Sequence, residues 1–163
     1  MELADFLRPE QVIAHLRATS KKQALQDLAR RAAQTSGQNE RAIFDVLMER
    51  ERLGTTGVGN GLAIPHGKLA TLDRLHGLFA RLDHPIDFDA IDDRPVDLIF
   101  LLLAPEWAGA DHLQSLSGLS RLLRDKAACE KIRATDDAEE LYALLIDSLA
   151  TRVSPNRPDN PAA

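Results

Sequence analysis

The chain has 163 residues, 44% of them hydrophobic, which is enough to bury one sizeable core and favours a single domain. Its formal net charge is −5 with both signs interleaved, so there is no basic stripe to neutralise a nucleic-acid backbone. The longest apolar run, 98–104, is far short of a bilayer-spanning helix, the N-terminus is acidic where a secretion signal is basic, and the single Cys129 cannot close an internal disulfide; a soluble cytoplasmic protein without membrane insertion is expected.

The first predicted helix starts after Ser20, whose hydroxyl caps while Gln23 reaches back, and lines Ala24, Leu25, Leu28, Ala29 and Ala32 on one face before Gly37. A second follows Asn39 as N-cap, turns Ile43, Val46 and Leu47 to the core, and ends in a basic turn, Arg50 to Arg52, before Gly54. The stretch 54–61 holds Gly54, Gly57, Gly59 and Gly61 and reads as a loop. Short extended segments are predicted at 62–65, 77–82 and 86–88, the last two separated by turn residues Asp83, His84 and Pro85. The run 96–103, interrupted only by Asp97, has the pattern of a central strand buried on both faces.

Helices then resume. Asp111 with Gln114 caps a helix carrying Leu113, Leu116, Leu119 and Leu123; a short segment follows at 127–132. The last helix starts near Asp136 and aligns Leu141, Leu144, Leu145 and Leu149, with acidic residues at the positive end of its dipole. Pro155, Pro158 and Pro161 mark 153–163 as a disordered tail behind a domain of residues 1–152. Helices on either side of short strands give an α/β fold, a mixed β-sheet flanked by helices on both faces.

The chemistry concentrates in 50–68. A P-loop needs four residues between its first glycine and Gly-Lys, whereas Gly61 and Gly67 enclose five and Leu69 follows Lys68. A dinucleotide fingerprint needs a preceding strand, and here the glycines follow a helix. What remains is His66 between Pro65 and Gly67, behind a loop whose amides and Thr55 and Thr56 hydroxyls can converge on an anion. Pro65 stiffens the segment that presents His66, and Gly67 lets another molecule's backbone approach. Neutral imidazole has an in-plane lone pair that accepts a phosphoryl group, and Arg50 or Arg52 supplies charge for the equatorial oxygens.

The plainer alternatives stand beside this. An isolated histidine is more often structural, the glycine stretch can be an ordinary connection, and Arg50 and Arg52 suit a helix C-terminus in any case. His15, His76 and His84 have no partner at metal-ligand spacing, so no metal is expected, and they read as structural or solvent-facing. His112, beside Asp111 at a helix start, either faces the anion or is an incidental first-turn residue, and its spacing does not choose. Asp97 in a central strand needs a partner or an open strand end, which points to a structural role.

The run Arg50-Glu51-Arg52-Leu53-Gly54-Thr55-Thr56-Gly57 through Ile64-Pro65-His66-Gly67-Lys68 resembles the phosphorylation-site signature of the fructose- and mannitol-class enzyme IIA domains of the bacterial phosphotransferase system. The likeness continues in Phe88-Asp89-Ala90-Ile91-Asp92, Pro95-Val96-Asp97-Leu98, Asp111-His112-Leu113 and Glu139-Glu140-Leu141-Tyr142, and covers nearly the whole chain up to the tail. Pro65-His66-Gly67-Lys68 on a free-standing domain looks most like the nitrogen-type branch. The resemblance implies the enzyme IIA fold, phosphorylation of His66, phosphate binding by Arg50 and stabilisation of the phosphoryl group by His112. It also implies a small histidine phosphocarrier protein as donor, itself charged by enzyme I from phosphoenolpyruvate, and no cofactor. Targets in the branch include potassium transport and signalling proteins. Thr55 stands where the family shows serine, which keeps the hydroxyl.

Three functions fit these residues: a regulatory phosphocarrier whose targets read the charge state of His66, a sugar-transport component that hands its phosphate to a sugar-specific domain, and a binding module without phosphorylation. The first is favoured; only the acceptor separates it from the second, and the presence of Arg50, His66 and His112 together argues against the third.

Overall fold

The computed structural model describes residues 3–109, 119 and 124–153. In chain order it contains β1 (Val12–Leu16), α1 (Lys21–Ser36), α2 (Glu40–Leu53), β2 (Gly57–Gly59), β3 (Leu62–Ala63), β4 (His66–Leu69), β5 (His76–Ile86), β6 (Val96–Pro105), α3 (Lys126–Arg133) and α4 (Ala138–Val153), with 3-10 turns at Leu3–Asp5 and Pro9–Gln11.

Strand β6 organises the molecule. It pairs antiparallel with β5 on one side, and on the other runs parallel to β3 through Leu98 and Ile99 and to β4 through Leu102 to Pro105. β1 adds in parallel beyond β5, and β2 adds antiparallel beyond β3, so the sheet is mixed with order β1-β5-β6-β3-β2. The period of two along β6 separates two cores. Leu98, Phe100 and Leu102 pack with Cys129 and Ile132 of α3 and Leu141 and Leu145 of α4, while Ile99, Leu101 and Leu103 pack with Leu25 and Leu28 of α1 and Ile43 and Leu47 of α2. Helices therefore cover both faces, as expected.

The caps follow the sequence. Ser20 Oγ accepts from the Gln23 amide at 3.1 Å, and Asn39 Oδ1 accepts from the Ala42 amide at 2.9 Å. Asp125 caps α3 by accepting from the Ala128 amide at 3.2 Å. Three expectations are corrected. β1 went unread: Val12, Ala14 and Leu16 face inward, but the element is too short and too broken by His15 to show an alternating pattern of its own. The turn expected at Asp83, His84 and Pro85 is part of β5. Pro85 fits because β1 ends its pairing at Leu82 and the β5–β6 register shifts between Arg81 and Ile86, so the ladder asks no amide of it.

The third correction concerns 54–61, read as a loop, of which Gly57–Gly59 forms β2. Asn60 and Gly61 have φ of 58° and 80°, the left-handed values that a two-residue hairpin turn between β2 and β3 requires. Asn-Gly is itself a hairpin signal, masked by the surrounding glycines. The helix expected from Asp111, with Leu113, Leu116 and Leu123, lies outside the described residues apart from Leu119, which is buried and helical. The tail beyond Val153 also lies outside them.

Candidate functional site

Arg50 sits in the last turn of α2 and His66 opens β4. The two elements pack closely because residue 67 is glycine: a Cβ there would run into Val46 Cγ1 on α2. Gly67 thus admits this chain's own helix, where the sequence suggested space for another molecule. Pro65 lies between β3 and β4, and its carbonyl accepts from the Leu102 amide at 3.0 Å, which fixes the entry to His66 on the central strand.

The imidazole of His66 is half-buried and held at both nitrogens. Nδ1 lies 2.9 Å from the carbonyl oxygen of Ile64, and a carbonyl only accepts, so Nδ1 carries the hydrogen and donates it. Nε2 accepts from Arg50 Nε at 3.3 Å and thereby presents its lone pair to the guanidinium. Arg50 Nη1 donates to Gly54 O at 2.9 Å, which braces the arginine on its own helix end. The structure thus brings Arg50 and His66 together. His112 lies outside the described residues.

Thr55 and Thr56 lie beside this pair with their hydroxyl protons engaged. Thr55 Oγ1 donates to Phe88 O at 2.9 Å and accepts from the Gly57 amide at 3.0 Å, an arrangement that ties the glycine stretch to the 88–92 segment. Buried Thr56 donates its hydroxyl to Glu51 Oε2 and its amide to Glu51 Oε1 at 3.1 Å. Lys21 Nζ completes the group, 2.9 Å from Glu51 Oε1 and over the Phe88 ring. Sequence reasoning passed over Glu51 and Lys21. Their separation by thirty positions hides the pair, although a carboxylate amid an arginine-rich helix end was the available signal.

The far end of the hairpin is held in the same way. Asp92 Oδ2 accepts from the Asn60 amide at 2.9 Å, and that bond first, with one from the Arg94 amide, keeps its carboxyl below the usual range. Arg133 Nη2 donates to Asn60 O at 2.6 Å and Arg133 Nε to Asp97 at 2.8 Å, which supplies the partner Asp97 needed. Gly61 fits between them, since a Cβ there would fall 2.5 Å from Arg133 and 2.8 Å from Asp97.

This arrangement of a presented histidine, a braced arginine and a pinned glycine hairpin can be set against known proteins. The family described as phosphoenolpyruvate-dependent sugar phosphotransferase system, EIIA 2, matches residues 5–148. The chain belongs to this family. Among EIIA proteins, a nitrogen regulatory protein of Bradyrhizobium diazoefficiens is 58% identical over 145 residues, covering 89% of this chain and 95% of that one. The crystal structure of nitrogen regulatory protein IIA-Ntr from Neisseria meningitidis superposes with a TM-score of 0.84 at 36% identity, over 88% of this chain and 98% of that one. The chain is thus a nitrogen-type member of the class. The Escherichia coli mannitol IIA structure shares the fold, with a TM-score of 0.71 at 22% identity over 85% of this chain and 98% of that one.

Among the described residues the large exposed hydrophobics are Leu53, Val58, Ile91 and Trp107. Leu53 ends α2, Val58 lies in β2, and the Ile91 amide donates to Gly57 O at 3.1 Å. Trp107 adjoins Ala108, whose carbonyl accepts from Lys68 Nζ at 2.9 Å, two residues beyond His66. The described residues hold no cluster of histidine, cysteine or carboxylate groups able to bind a metal, and no helix long and apolar enough to cross a membrane.

Proposed function

We propose that this EIIA protein accepts a phosphoryl group on Nε2 of His66 from a histidine phosphocarrier protein and regulates target proteins according to its phosphorylation state. The observation that carries the reading is the pairing at His66, with Nδ1–H bound to Ile64 O and the Nε2 lone pair facing Arg50. In the transfer, Arg50 Nε–H turns from Nε2 to a phosphoryl oxygen, the released Nε2 lone pair attacks phosphorus to form a new P–N bond, and the donor's P–N bond breaks with its electron pair returning to the donor's ring nitrogen. The ring of His66 becomes cationic, and the Ile64 carbonyl stabilises that charge through Nδ1–H. Arg50 is within reach of the incoming phosphoryl oxygens, with guanidinium donors that no described residue uses.

Thr55 and Thr56 serve here by holding the loop in shape, since each hydroxyl proton is already given to a protein acceptor. His112 contributes a second imidazole to the phosphoryl group. The exposed Leu53, Val58, Ile91 and Trp107 give the donor an apolar surface to dock on, in a cytoplasmic setting. Potassium transport or signalling proteins are the targets in view. The name of the Bradyrhizobium relative favours regulation over sugar transport, in which the same His66 chemistry would serve a sugar-specific domain.

Incubation with phosphoenolpyruvate, enzyme I and the histidine phosphocarrier, followed by intact-mass analysis, tests this. One acid-labile phosphoryl adduct is expected on the wild type and none on His66→Ala. A wild type that stays unmodified beside a labelled control acceptor would overturn the reading in favour of a contact-only module.

A further inference from the structure

Away from His66 and Arg50, a cavity of about 240 Å³ opens between the Asn60 turn, Arg94, and the start and body of α3. Among the described residues, Arg94, Arg124, Lys126 and Arg133 line it, against one carboxylate, Glu130. Of the four cations only Arg133 is neutralised at close range, by Asp97 at 2.8 Å. Arg94, Arg124 and Lys126 are exposed and make no ion pair or side-chain hydrogen bond with a described residue. Asp92, two residues from Arg94, is engaged first by the Asn60 and Arg94 amides and more weakly by the Arg94 charge, and Asp93 and Asp125 are chain neighbours of the lining cations. Cys129 forms part of the wall, and burial raises its thiol, so it adds no negative charge.

Three cations without a close ion pair to a described residue share one small cavity with Arg133 and repel each other. An anion relieves that repulsion. Its charge must be multiple to match the lining, and its size small, because the cavity falls below the range of about 300–1,000 Å³ that holds larger organic ligands. Phosphoryl groups place two or more charges on few atoms and suit the planar forks of Arg94 and Arg124.

We propose that this cavity is a binding site for a small phosphoryl-bearing anion, of about the size of pyrophosphate. The site does not depend on phosphorylation of His66, but it adjoins the segment that presents it. Arg133 donates to Asn60 O, and the Asp97 and Leu98 amides donate to Gly61 O, so an occupant that draws on Arg133 competes directly with the hairpin leading into β3 and His66.

Calorimetric titration of the full chain with pyrophosphate at low salt tests the proposal. A single saturable site is expected, weakened about tenfold or more in the Arg94→Gln/Arg124→Gln double variant, and retained in Arg50→Gln. These two substitutions lie at exposed positions, so the folded state is expected to survive and circular dichroism checks it. No saturable binding, binding unchanged in the double variant, or binding lost in Arg50→Gln would overturn the site. Citrate binding as tightly as pyrophosphate would overturn the phosphoryl assignment.

Discussion

At the scale of single residues, reactivity turns on which nitrogen of His66 carries the lone pair and which the hydrogen. Ile64 O can only accept, so it fixes the hydrogen on Nδ1, and the nucleophilic lone pair falls on Nε2 beside Arg50. Arg50 acts through the geometry of its fork as well as its charge: one arm holds Gly54 O while Nε faces the ring. Arg50→Lys keeps the charge and loses that geometry. Phosphoryl transfer to this variant is expected to slow by about tenfold or more, measured as the rate of adduct formation, with the folded spectrum unchanged. An unaltered rate would remove Arg50 from the site.

At the scale of elements, the junction of α2 with the glycine stretch depends on Glu51, whose side chain is 4% exposed and takes both Lys21 and Thr56. Glu51→Ala leaves a buried hydroxyl without its acceptor and a largely buried ammonium with the more distant Asp89 carboxylate, 3.7 Å away, and is expected to cost about 2 kcal/mol in urea denaturation. A loss within error of zero would show that the network does not hold the junction. His76 joins β5 to α1 through Thr35 Oγ1 at 2.8 Å, and burial lowers its pKa from the ordinary 6.5. Below 6.5 the unfolded chain takes up the proton more readily than the folded one, so this group removes stability as pH falls from 6.5 toward its lowered value, and contributes nothing to the pH dependence above 6.5. His76→Gln keeps a hydrogen-bonding side chain without the titration, and its melting temperature is expected to fall less than the wild type's between neutral pH and mildly acidic pH. Equal slopes would rule out His76 as the source.

The same elements show what the sequence makes legible. α1 and α2 could be read because their caps and apolar stripes are local, and β6 because an uninterrupted apolar run leaves few alternatives. β1 was not, since five residues derive their strand identity from pairing with β5, a long-range contact. Residues 83–85 carry turn chemistry that the sheet overrides, as Pro85 sits where the β5–β6 register breaks. At the candidate site, motif and chemistry singled out Arg50 and His66, which the fold brings into contact. The Glu51–Lys21–Thr56 group was not legible, because its members meet only once α1 and α2 are packed, and Gly67 changed meaning for the same reason.

At the scale of the whole molecule, a mixed sheet between two helical layers leaves β6 buried and brings β3 and β4 along one of its edges, so His66 begins a strand that the core itself anchors. A rigid base suits a carrier that must present the same nitrogen to a donor and to whatever reads the phosphorylated form. On the proposed function, phosphorylation adds about two negative charges at that one place. The measurement that bears most directly on this account is heteronuclear nitrogen–phosphorus NMR of the phosphorylated, ring-labelled protein. Phosphorus coupled to Nε2 of His66, with Nδ1 still protonated and bound to Ile64, is the expected result. Phosphorus on Nδ1, or on any residue other than His66, would contradict it.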